Sequence, residues 1–521
     1  MSSQDITIAP NSKGRLSRVT DGSGSTTYGY DLQGRVTLKT QLTGAVVRQV
    51  GYAFNPQGQL ATIATPSNQS IGYAYSNNQV TSITVNGVPV LTAARYFPFG
   101  EVASWTWGNG LAYQRVYDTD GRIQSVTLGA QTRAYGFDDA SRITALTDKL
   151  GATTLAAATI AYDNLDRLTS AANAPAYNES FAYDLIGNRT SQTVGGIVTS
   201  LTYGTTSNRL TQNGAQAIGY DAAGNTTSDA NYTYVYSGRN RLTQVKQGAA
   251  AVAAYKHNAF GERVSKTAGA TTLFVYDEDG HLLGEYDATG ALIQETVWLE
   301  DTPVATLRPR AGGGIDIRYV WADHLDTPRA VTSSDAASTL LWKWDSDPFG
   351  TTPATETGLT YNLRFPGQYF DGETQTHYNY FRDYNAQTGR YQQSDPIGLN
   401  GGSFDTYAYV RAAPLAFFDA SGLKLDPLIR LPGSSNRKKD RRAGNQAIAG
   451  CACNRKTVAD AIGQDPLPHM SSGRGTYKNP PGTEWHHPED YLNEVWLVKT
   501  CDHRAHHKQN KFGGISIAGG K

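Results

Sequence analysis

The residues best suited to chemistry lie near the C-terminus, where five histidines fall within 22 positions. They form two groups: His486 and His487, then His503, His506 and His507. Imidazole can act as a base near neutral pH, and with carboxylates it binds Mn, Ni, Zn or, less readily, Mg. Hydrolysis of a phosphodiester needs a base to activate water and a cation to stabilise charge on the phosphate. The spacing therefore indicates a metal-dependent hydrolytic site with one divalent ion.

The elements that would position these histidines can be predicted from the surrounding sequence. The run HHPED ends one strand, the apolar run at 495–498 forms the next, and CDHRAHHKQ at 501–509 begins a helix. His503, His506 and His507 then share one helix face, because residues three and four apart are neighbours on a helix. The predicted β-β-α unit brings His486 and His487 opposite that face.

A cysteine-containing zinc site is the main rival for these residues. Its ligands would be Cys451, Cys453, Cys501 and His503. The Cys-x-Cys spacing is tighter than the two to four residues usual between zinc-binding cysteines. Three cysteines in the whole chain argue against a disulfide framework.

Charge separates the C-terminal region from the rest. Residues 424–521 carry 16 Lys and Arg against 9 Asp and Glu, a net charge of +7, whereas residues 1–423 carry −7. A basic segment suits a polyanionic substrate, since Lys and Arg neutralise phosphates. Residues 424–444 contain the basic run at 437–442 and are predicted to be a linker, which is solvated or contacts phosphate. Residues 445–521 form the remaining domain.

The first part of the chain is a repeat array. An aromatic residue and Asp, two variable residues, Gly and a β-former recur at a common spacing of about 20 residues. Copies begin at Tyr30, Tyr117, Tyr162, Tyr183, Tyr220, Tyr276 and Tyr286. Asp-x-x-Gly favours a tight turn and the flanks alternate like half-buried strands, so each copy predicts a β-hairpin. Stacked hairpins give a mostly β fold with one long twisted antiparallel sheet. A β-propeller or β-sandwich is the alternative.

These repeats resemble the Rhs/YD-repeat family. WADHLDTPRAVT at Trp321 resembles one family segment, and residues 364–399 are close to the signature that ends an Rhs core. The resemblance implies a β-shell over residues 1–363 and a core-terminal segment over 364–423, which together enclose a C-terminal toxin. A sheet of this length tiles about 4,000 Å², whereas a cargo of about 100 residues needs roughly 6,000 Å². The shell is therefore expected to be incomplete, or completed by other sequence or a partner.

The core-terminal segment also resembles a self-cleavage site. SDPIGL at Asp395 and DASGL at Asp419 are similar to paired motifs of Rhs proteins, with Ala420 where the family usually has Pro. The resemblance implies an aspartyl-protease-like cut between Leu423 and Lys424. Two close carboxyls can share a proton, one activating water while the other polarises the peptide carbonyl. Asp-x-x-Gly-Leu is also an ordinary turn that closes a strand.

The histidine-rich stretch at 482–514 resembles the WHH subgroup of HNH/endonuclease VII (His-Me finger) toxins. By that resemblance His486 is a metal ligand, His487 the general base, His503 a helix ligand, and His507 or His506 a second ligand or phosphate contact. Geometry is needed to decide which of His486 and His487 is the base. The substrate-binding cations would be Arg504, Lys508 and Lys511. DNA is the preferred substrate on family grounds.

The expected biology follows from the same resemblance. The sequence has no apolar N-terminal signal and no run long enough to span a bilayer, so we expect export by another route, type VI-like, and action in the target-cell cytoplasm. A cognate immunity protein with an acidic surface is the expected partner. The alternatives are a toxin with an RNase or non-nuclease cassette, and a structural YD-repeat surface protein.

Overall fold

The computed structural model describes residues 11–97, 102–173 and 175–424, and the backbone of two short strands at 483–486 and 496–499. Strands dominate it, which confirms the mostly β prediction. Among the described residues the only helices are two 3₁₀ helices, Gly398–Gly401 and Val410–Ala412. Neither is long enough to cross a membrane.

The first sheet has 20 strands, and each pairs antiparallel with the next along the chain. The strands are β1 Arg18–Asp21, β2 Gly24–Tyr30, β3 Val36–Thr43, β4 Val46–Phe54, β5 Leu60–Ala64, β6 Ser70–Ser76, β7 Gln79–Val85, β8 Val88–Tyr96, β9 Val102–Trp107, β10 Ala112–Tyr117, β11 Ile123–Leu128, β12 Gln131–Phe137, β13 Ile143–Leu150, β14 Thr153–Tyr162, β15 Leu168–Asn173, β16 Tyr177–Tyr183, β17 Arg189–Val194, β18 Ile197–Tyr203, β19 Leu210–Asn213 and β20 Gln216–Ala217.

The second sheet has 14 strands in the same sequential antiparallel order. They are β21 Gly219–Tyr220, β22 Thr226–Ser228, β23 Thr233–Tyr236, β24 Leu242–Gln247, β25 Ala250–His257, β26 Arg263–Ala268, β27 Ala270–Tyr276, β28 Leu282–Asp287, β29 Leu292–Leu299, β30 Thr302–Pro309, β31 Ile315–Ala322, β32 Pro328–Ser333, β33 Leu340–Lys343 and β34 Thr355–Glu356. No pairing among the described strands joins the first and last strands of either sheet, so both sheets are open.

The repeated Asp builds each turn. Asp31 Oδ1 accepts the backbone N–H of Arg35 at 2.9 Å, and its Oδ2 accepts Arg35 Nε at 2.7 Å. Gly34 has a φ of 84°, which a residue with a side chain rarely adopts. The aromatic that precedes the Asp ends its strand at a β-bulge, where Tyr30 pairs with Val36. The predicted turn chemistry is confirmed.

The aromatic and basic residues of the repeat connect neighbouring hairpins. Tyr162 Oη donates to the carbonyl of Ile143 at 2.9 Å, and Tyr183 Oη donates to that of Leu168 at 2.8 Å. Arg142 Nη1 donates to the carbonyl of Asp163, in the following turn, at 3.1 Å. Each repeat is therefore fixed by side chains of its neighbour as well as by the strand ladder.

The two sheets share one hydrophobic core. Trp107 of β9 and Trp321 of β31 pack edge to face with ring centroids 5.1 Å apart. Tyr113 Oη donates to the carbonyl of Ala322 at 2.9 Å, and the buried Arg115 pairs with Asp326 at 2.6 Å. Sequential hairpins alone do not fix this packing, because these contacts join residues about 200 positions apart.

Residues 364–423 contribute a separate four-stranded sheet: β35 Tyr369–Asp371, β36 Thr376–Asn379, β37 Arg382–Asn385 and β38 Arg390–Tyr391. A buried ion pair of 2.5 Å joins Arg263 of the second sheet to Asp371. Arg390 Nη1 donates to Asn188 Oδ1 of the first sheet at 3.1 Å. The core-terminal sheet is thus fixed to both large sheets.

The last two strands, β39 Thr483–His486 and β40 Trp496–Lys499, pair antiparallel with His486 opposite Trp496. This agrees with the two predicted strands, the second lying one residue further along than expected. The helix predicted after them lies outside the described residues.

Candidate active site

The core-terminal sheet and the loops after it bring the two predicted aspartates together. Asp395 follows β38, where its backbone N–H donates to the carbonyl of Thr406 at 2.9 Å and its Oδ1 accepts the N–H of Ile397 at 2.9 Å. Asp419 lies beyond the second 3₁₀ helix, and its carbonyl accepts Asn379 Nδ2 of β36 at 2.8 Å. Both side chains are buried, 6% and 4% exposed.

Arg382 of β37 lies between the two carboxylates. Its Nη2 is 3.1 Å from Asp395 Oδ2 and 3.1 Å from Asp419 Oδ2. Its Nε donates to the carbonyl of Gly422, and its guanidinium carbon lies 3.7 Å from the centroid of the Tyr391 ring. One buried cation therefore holds both acids and the segment that follows Asp419.

The predicted scissile peptide is next to Asp419. Asp419 Oδ1 accepts the backbone N–H of Leu423 at 3.0 Å and that of Lys424 at 3.2 Å. Ser421 is held from the other side, because its carbonyl accepts the N–H of Phe381 at 3.0 Å. The nitrogen of the Leu423–Lys424 bond is thus within hydrogen-bonding distance of a carboxylate oxygen.

A cavity of about 20 Å³ borders the same groups, lined in part by Arg382, Asp395, Asp419 and Leu423. A single buried water needs at least about 10–15 Å³. Gly401 closes one side, where a Cβ would lie less than 3.0 Å from both Asp395 Oδ2 and the carbonyl oxygen of Leu423. The cavity can therefore hold a water beside the two acids and the Leu423 carbonyl.

Burial dominates the electrostatics of the pair. It raises the pKa of Asp395 to about 6, against the opposing effect of Arg382, and the charge of Asp419 adds to the rise. Burial also raises the pKa of Asp419, although Arg382, Tyr391 and two backbone N–H groups oppose it. Asp419 accepts four hydrogen bonds and Asp395 fewer, and an ionised carboxylate is the form that only accepts. A proton shared by the pair therefore belongs mainly on Asp395.

Three residues of this site, Arg382, Tyr391 and Asn379, were not predicted from the sequence. Tyr391 Oη donates to Asp419 Oδ2 at 2.8 Å, and Asn379 Nδ2 donates to Tyr391 Oη at 2.7 Å. Polar and charged residues within the aromatic-rich segment 364–399 could have indicated these residues, because an arginine buried among aromatics needs a charged or polar partner.

The structure brings together Asp395, Asp419, Leu423 and Lys424, and self-cleavage at this place stays a prediction. Of the predicted metal and nuclease residues, His486 is described only as part of the β39 backbone. The other predicted residues of that site lie outside the described residues: His487, His503, His506, His507, Arg504, Lys508 and Lys511. The same holds for the rival zinc ligands Cys451, Cys453 and Cys501.

Within the described ranges, one group has the composition of a metal site: Asp277, Asp279 and His281, whose ligand atoms lie within 4.8 Å of one another. His281 occupies the position that Arg holds in other repeats, and its ring hydrogen-bonds Asp277 at 3.1 Å and Asp301 at 2.9 Å. These contacts make it a variant of the repeat turn.

The fold and this site define a repeat β-shell with a core-terminal acidic pair. Residues 136–400 match the family described as teneurin YD-shell, and residues 11–46 match the RHS repeat. The chain belongs to the Rhs/YD-repeat family.

Several curated bacterial proteins are similar to the chain. Double-stranded DNA deaminase toxin A of Burkholderia cenocepacia is 29% identical over 455 residues, covering 76% of this chain and 30% of the relative. Toxin protein Tse5 of Pseudomonas aeruginosa is 36% identical over 131 residues, 25% of this chain and 10% of the relative. The probable deoxyribonuclease RhsA of Dickeya dadantii is 29% identical over 209 residues, 38% and 14%. The chain thus spans less than a third of each of these relatives.

Solved structures show the same fold. The Photorhabdus luminescens Tc holotoxin pore superposes with a TM-score of 0.67 at 18% identity, covering 79% of this chain and 24% of that one. A TcdB2–TccC3 complex gives 0.65 at 19% identity, covering 77% and 24%. At this identity the likeness concerns the fold alone.

Proposed function

We propose that this chain is an Rhs-type polymorphic toxin that cuts itself after Leu423 and thereby frees a C-terminal nuclease cassette. The observation that carries the self-cleavage step is the position of Asp419 Oδ1, 3.2 Å from the Lys424 nitrogen. Toxin relatives with different named activities, a DNA deaminase toxin and a probable deoxyribonuclease, support a carrier shell with an exchangeable cassette.

The proposed cleavage uses the two acids in different roles. Protonated Asp395 donates a hydrogen bond to the Leu423 carbonyl oxygen. Both groups border Gly401, where a Cβ would lie less than 3.0 Å from each of them. Ionised Asp419 takes a proton from a water in the cavity, and the resulting hydroxide adds to the carbonyl carbon. The C–N bond then breaks, and Asp419 passes the proton to the Lys424 nitrogen. The products are a Leu423 carboxyl group and a free Lys424 amine, so atoms and charge balance.

The proposed cassette activity is metal-dependent hydrolysis of nucleic acid, with DNA preferred. His487 would be the general base, and His486, His503 and His507 or His506 would hold the ion. That donor set suits Mn, Ni or Zn, and Mg less readily. When bound, the cation would stabilise charge that develops on the phosphate. The net charge of +7 over residues 424–521 supports a polyanionic substrate and an acidic immunity protein.

The second candidate is the same carrier with an RNase or non-nuclease cassette. The Burkholderia cenocepacia relative is named a DNA deaminase toxin, which supports a non-nuclease cassette as the second candidate. Secretion by a type VI-like route into a target cell belongs to either version of the proposal.

Mass spectrometry of the purified full chain tests the cleavage. We expect two fragments that meet between Leu423 and Lys424, and a single 521-residue species for Asp395→Asn and for Asp419→Asn. Asp139→Asn is the control, because Asp139 is exposed at a repeat turn, and this variant should be cut like the wild type. An intact wild-type chain would refute self-cleavage.

A further inference from the structure

Asp419 is held by residues that lie on neither of the two aspartate motifs. Tyr391 of β38 is 3% exposed and Asn379 of β36 is fully buried. Tyr391 Oη donates to Asp419 Oδ2 at 2.8 Å. Asn379 Nδ2 donates both to Tyr391 Oη at 2.7 Å and to the Asp419 carbonyl at 2.8 Å.

These contacts fix the rotation of the carboxylate. Oδ2 is occupied by Tyr391 and Arg382, which leaves Oδ1 to face the backbone nitrogens of Leu423 and Lys424. Asn379 Nδ2 is a donor, so the Tyr391 oxygen accepts its hydrogen bond. The tyrosine proton is therefore directed towards Asp419. Without this pair the carboxylate could rotate about its last bond and lose the alignment of Oδ1 with the leaving nitrogen.

We propose that Tyr391 and Asn379 are positioning residues for self-cleavage, which keep Asp419 Oδ1 directed at the Lys424 nitrogen. The inference rests on the proposed function and adds to it two residues from the core-terminal sheet. Tyr391 contacts the Asp419 carboxylate, and Asn379 contacts Tyr391 and the Asp419 carbonyl, so both act through Asp419.

Among the residues that the structure describes, few charged groups face the pair. Arg382 contacts both acids, and Asp395 is the other member of the pair. Asp405 and Arg411 also line the cavity, but Asp405 pairs with Arg390 at 3.0 Å and Arg411 Nε donates to the Gly402 carbonyl at 2.7 Å. The hydroxyl of Tyr391 is therefore a neutral side-chain donor that stabilises the ionised form of Asp419. Its loss disfavours that anion, because a hydrogen bond to the charged form stabilises it.

The test is the pH dependence of cleavage of the full chain after cell-free synthesis, with the fraction cut followed by mass spectrometry. For Tyr391→Phe we expect a rate about tenfold lower and an acidic limb moved to higher pH by about one unit, the size of effect expected for a charge-assisted hydrogen bond. Asn379→Ala moves the limb in the same direction by less, because it acts through Tyr391.

The matched control is Tyr384→Phe. Tyr384 is a fully buried tyrosine of β37, but its Oη donates to the Phe349 carbonyl at 2.8 Å. We expect its pH profile to equal that of the wild type. A Tyr391→Phe profile that matches the wild type, or a Tyr384→Phe profile that moves equally, overturns the positioning role. A wild-type chain that is never cut refutes the proposed function itself, a different result.

Discussion

Asp395 and Asp419 are 24 positions apart in the chain, yet each places an oxygen 3.1 Å from the same nitrogen of Arg382. Two buried carboxyls around one guanidinium form a coupled pair, whose protons leave in two steps that belong to the pair as a whole. The pair adjoins the peptide bond at which residues 1–423, with a net charge of −7, meet residues 424–521, with a net charge of +7.

The pH dependence of self-cleavage follows from the pKa of Asp395, which burial raises to about 6. As the acid, Asp395 must be protonated, so we expect the cleavage rate to fall as pH rises through about 6. As the base, Asp419 must be ionised, which gives the acidic limb. Rates measured across a pH series on freshly synthesised chain check this. A rate that keeps rising from pH 6 to neutrality would contradict the assigned roles.

The pH dependence of folding stability should also report the ionisation of Asp395. A carboxyl whose pKa is raised on folding contributes stability that is fully present below its unfolded value, near 3.8, and lost as pH rises through its folded value, about 6. Asp395→Asn removes this loss, because the amide is neutral throughout. We therefore expect the melting temperature of the double variant Asp395→Asn/Asp419→Asn to gain on that of Asp419→Asn, in which Asp395 is the remaining acid of the pair, as pH rises from 4 to 7. An unchanged difference would argue against the raised pKa.

Gly401 is predicted to be essential for cleavage because it leaves room for two reacting groups. A Cβ at Gly401→Ala would lie less than 3.0 Å from Asp395 Oδ2 and from the Leu423 carbonyl oxygen. We expect the uncut chain to accumulate, with a stability loss of about 1–3 kcal/mol from overpacking. Gly238→Ala is the control, since a Cβ there has nothing within 4 Å. Efficient cleavage by Gly401→Ala would show that the carbonyl lies elsewhere during the reaction.

The repeat turns should depend on the carboxylate of their Asp. Asp163 Oδ1 accepts the backbone N–H groups of Leu165 and Arg167, and its Oδ2 accepts Arg167 Nε at 2.7 Å. Because its side chain is 24% exposed, we expect Asp163→Ala to cost only about 1–2 kcal/mol of unfolding free energy. Asp139→Ala, at an exposed turn position, should cost less than about 0.5 kcal/mol. Calorimetry on both variants compares them directly.

The cassette prediction is metal-dependent cleavage of plasmid DNA by the full chain. Loss of the general base in His487→Ala should lower the rate by about 100-fold or more, and a chelator should abolish it. His469→Ala is the control, because His469 lies outside the two histidine groups. Cleavage of RNA with plasmid left intact across Mg, Mn, Ni and Zn would favour the second candidate.

The sequence by itself determined the local structure of this protein. Asp, Gly and an aromatic at fixed offsets specify the turn, its left-handed residue and the bulge at Tyr30, because all of these interactions close within about six residues. The turn features depend on neighbours in the chain, so they can be read without coordinates. The paired motifs at Asp395 and Asp419 pointed to the two acids and to the peptide bond after Leu423 only through their resemblance to Rhs proteins.

The tertiary structure decided what surrounds the acids. Arg382, Tyr391 and Asn379 come from three strands of the core-terminal sheet, and Gly401 comes from a 3₁₀ helix that precedes Asp419. Their convergence depends on how that sheet packs against both large sheets through contacts such as Arg263–Asp371 and Arg390–Asn188. Burial, hydrogen-bond direction and the raised pKa of Asp395 arise only from this packing, because they depend on atoms far apart in the chain.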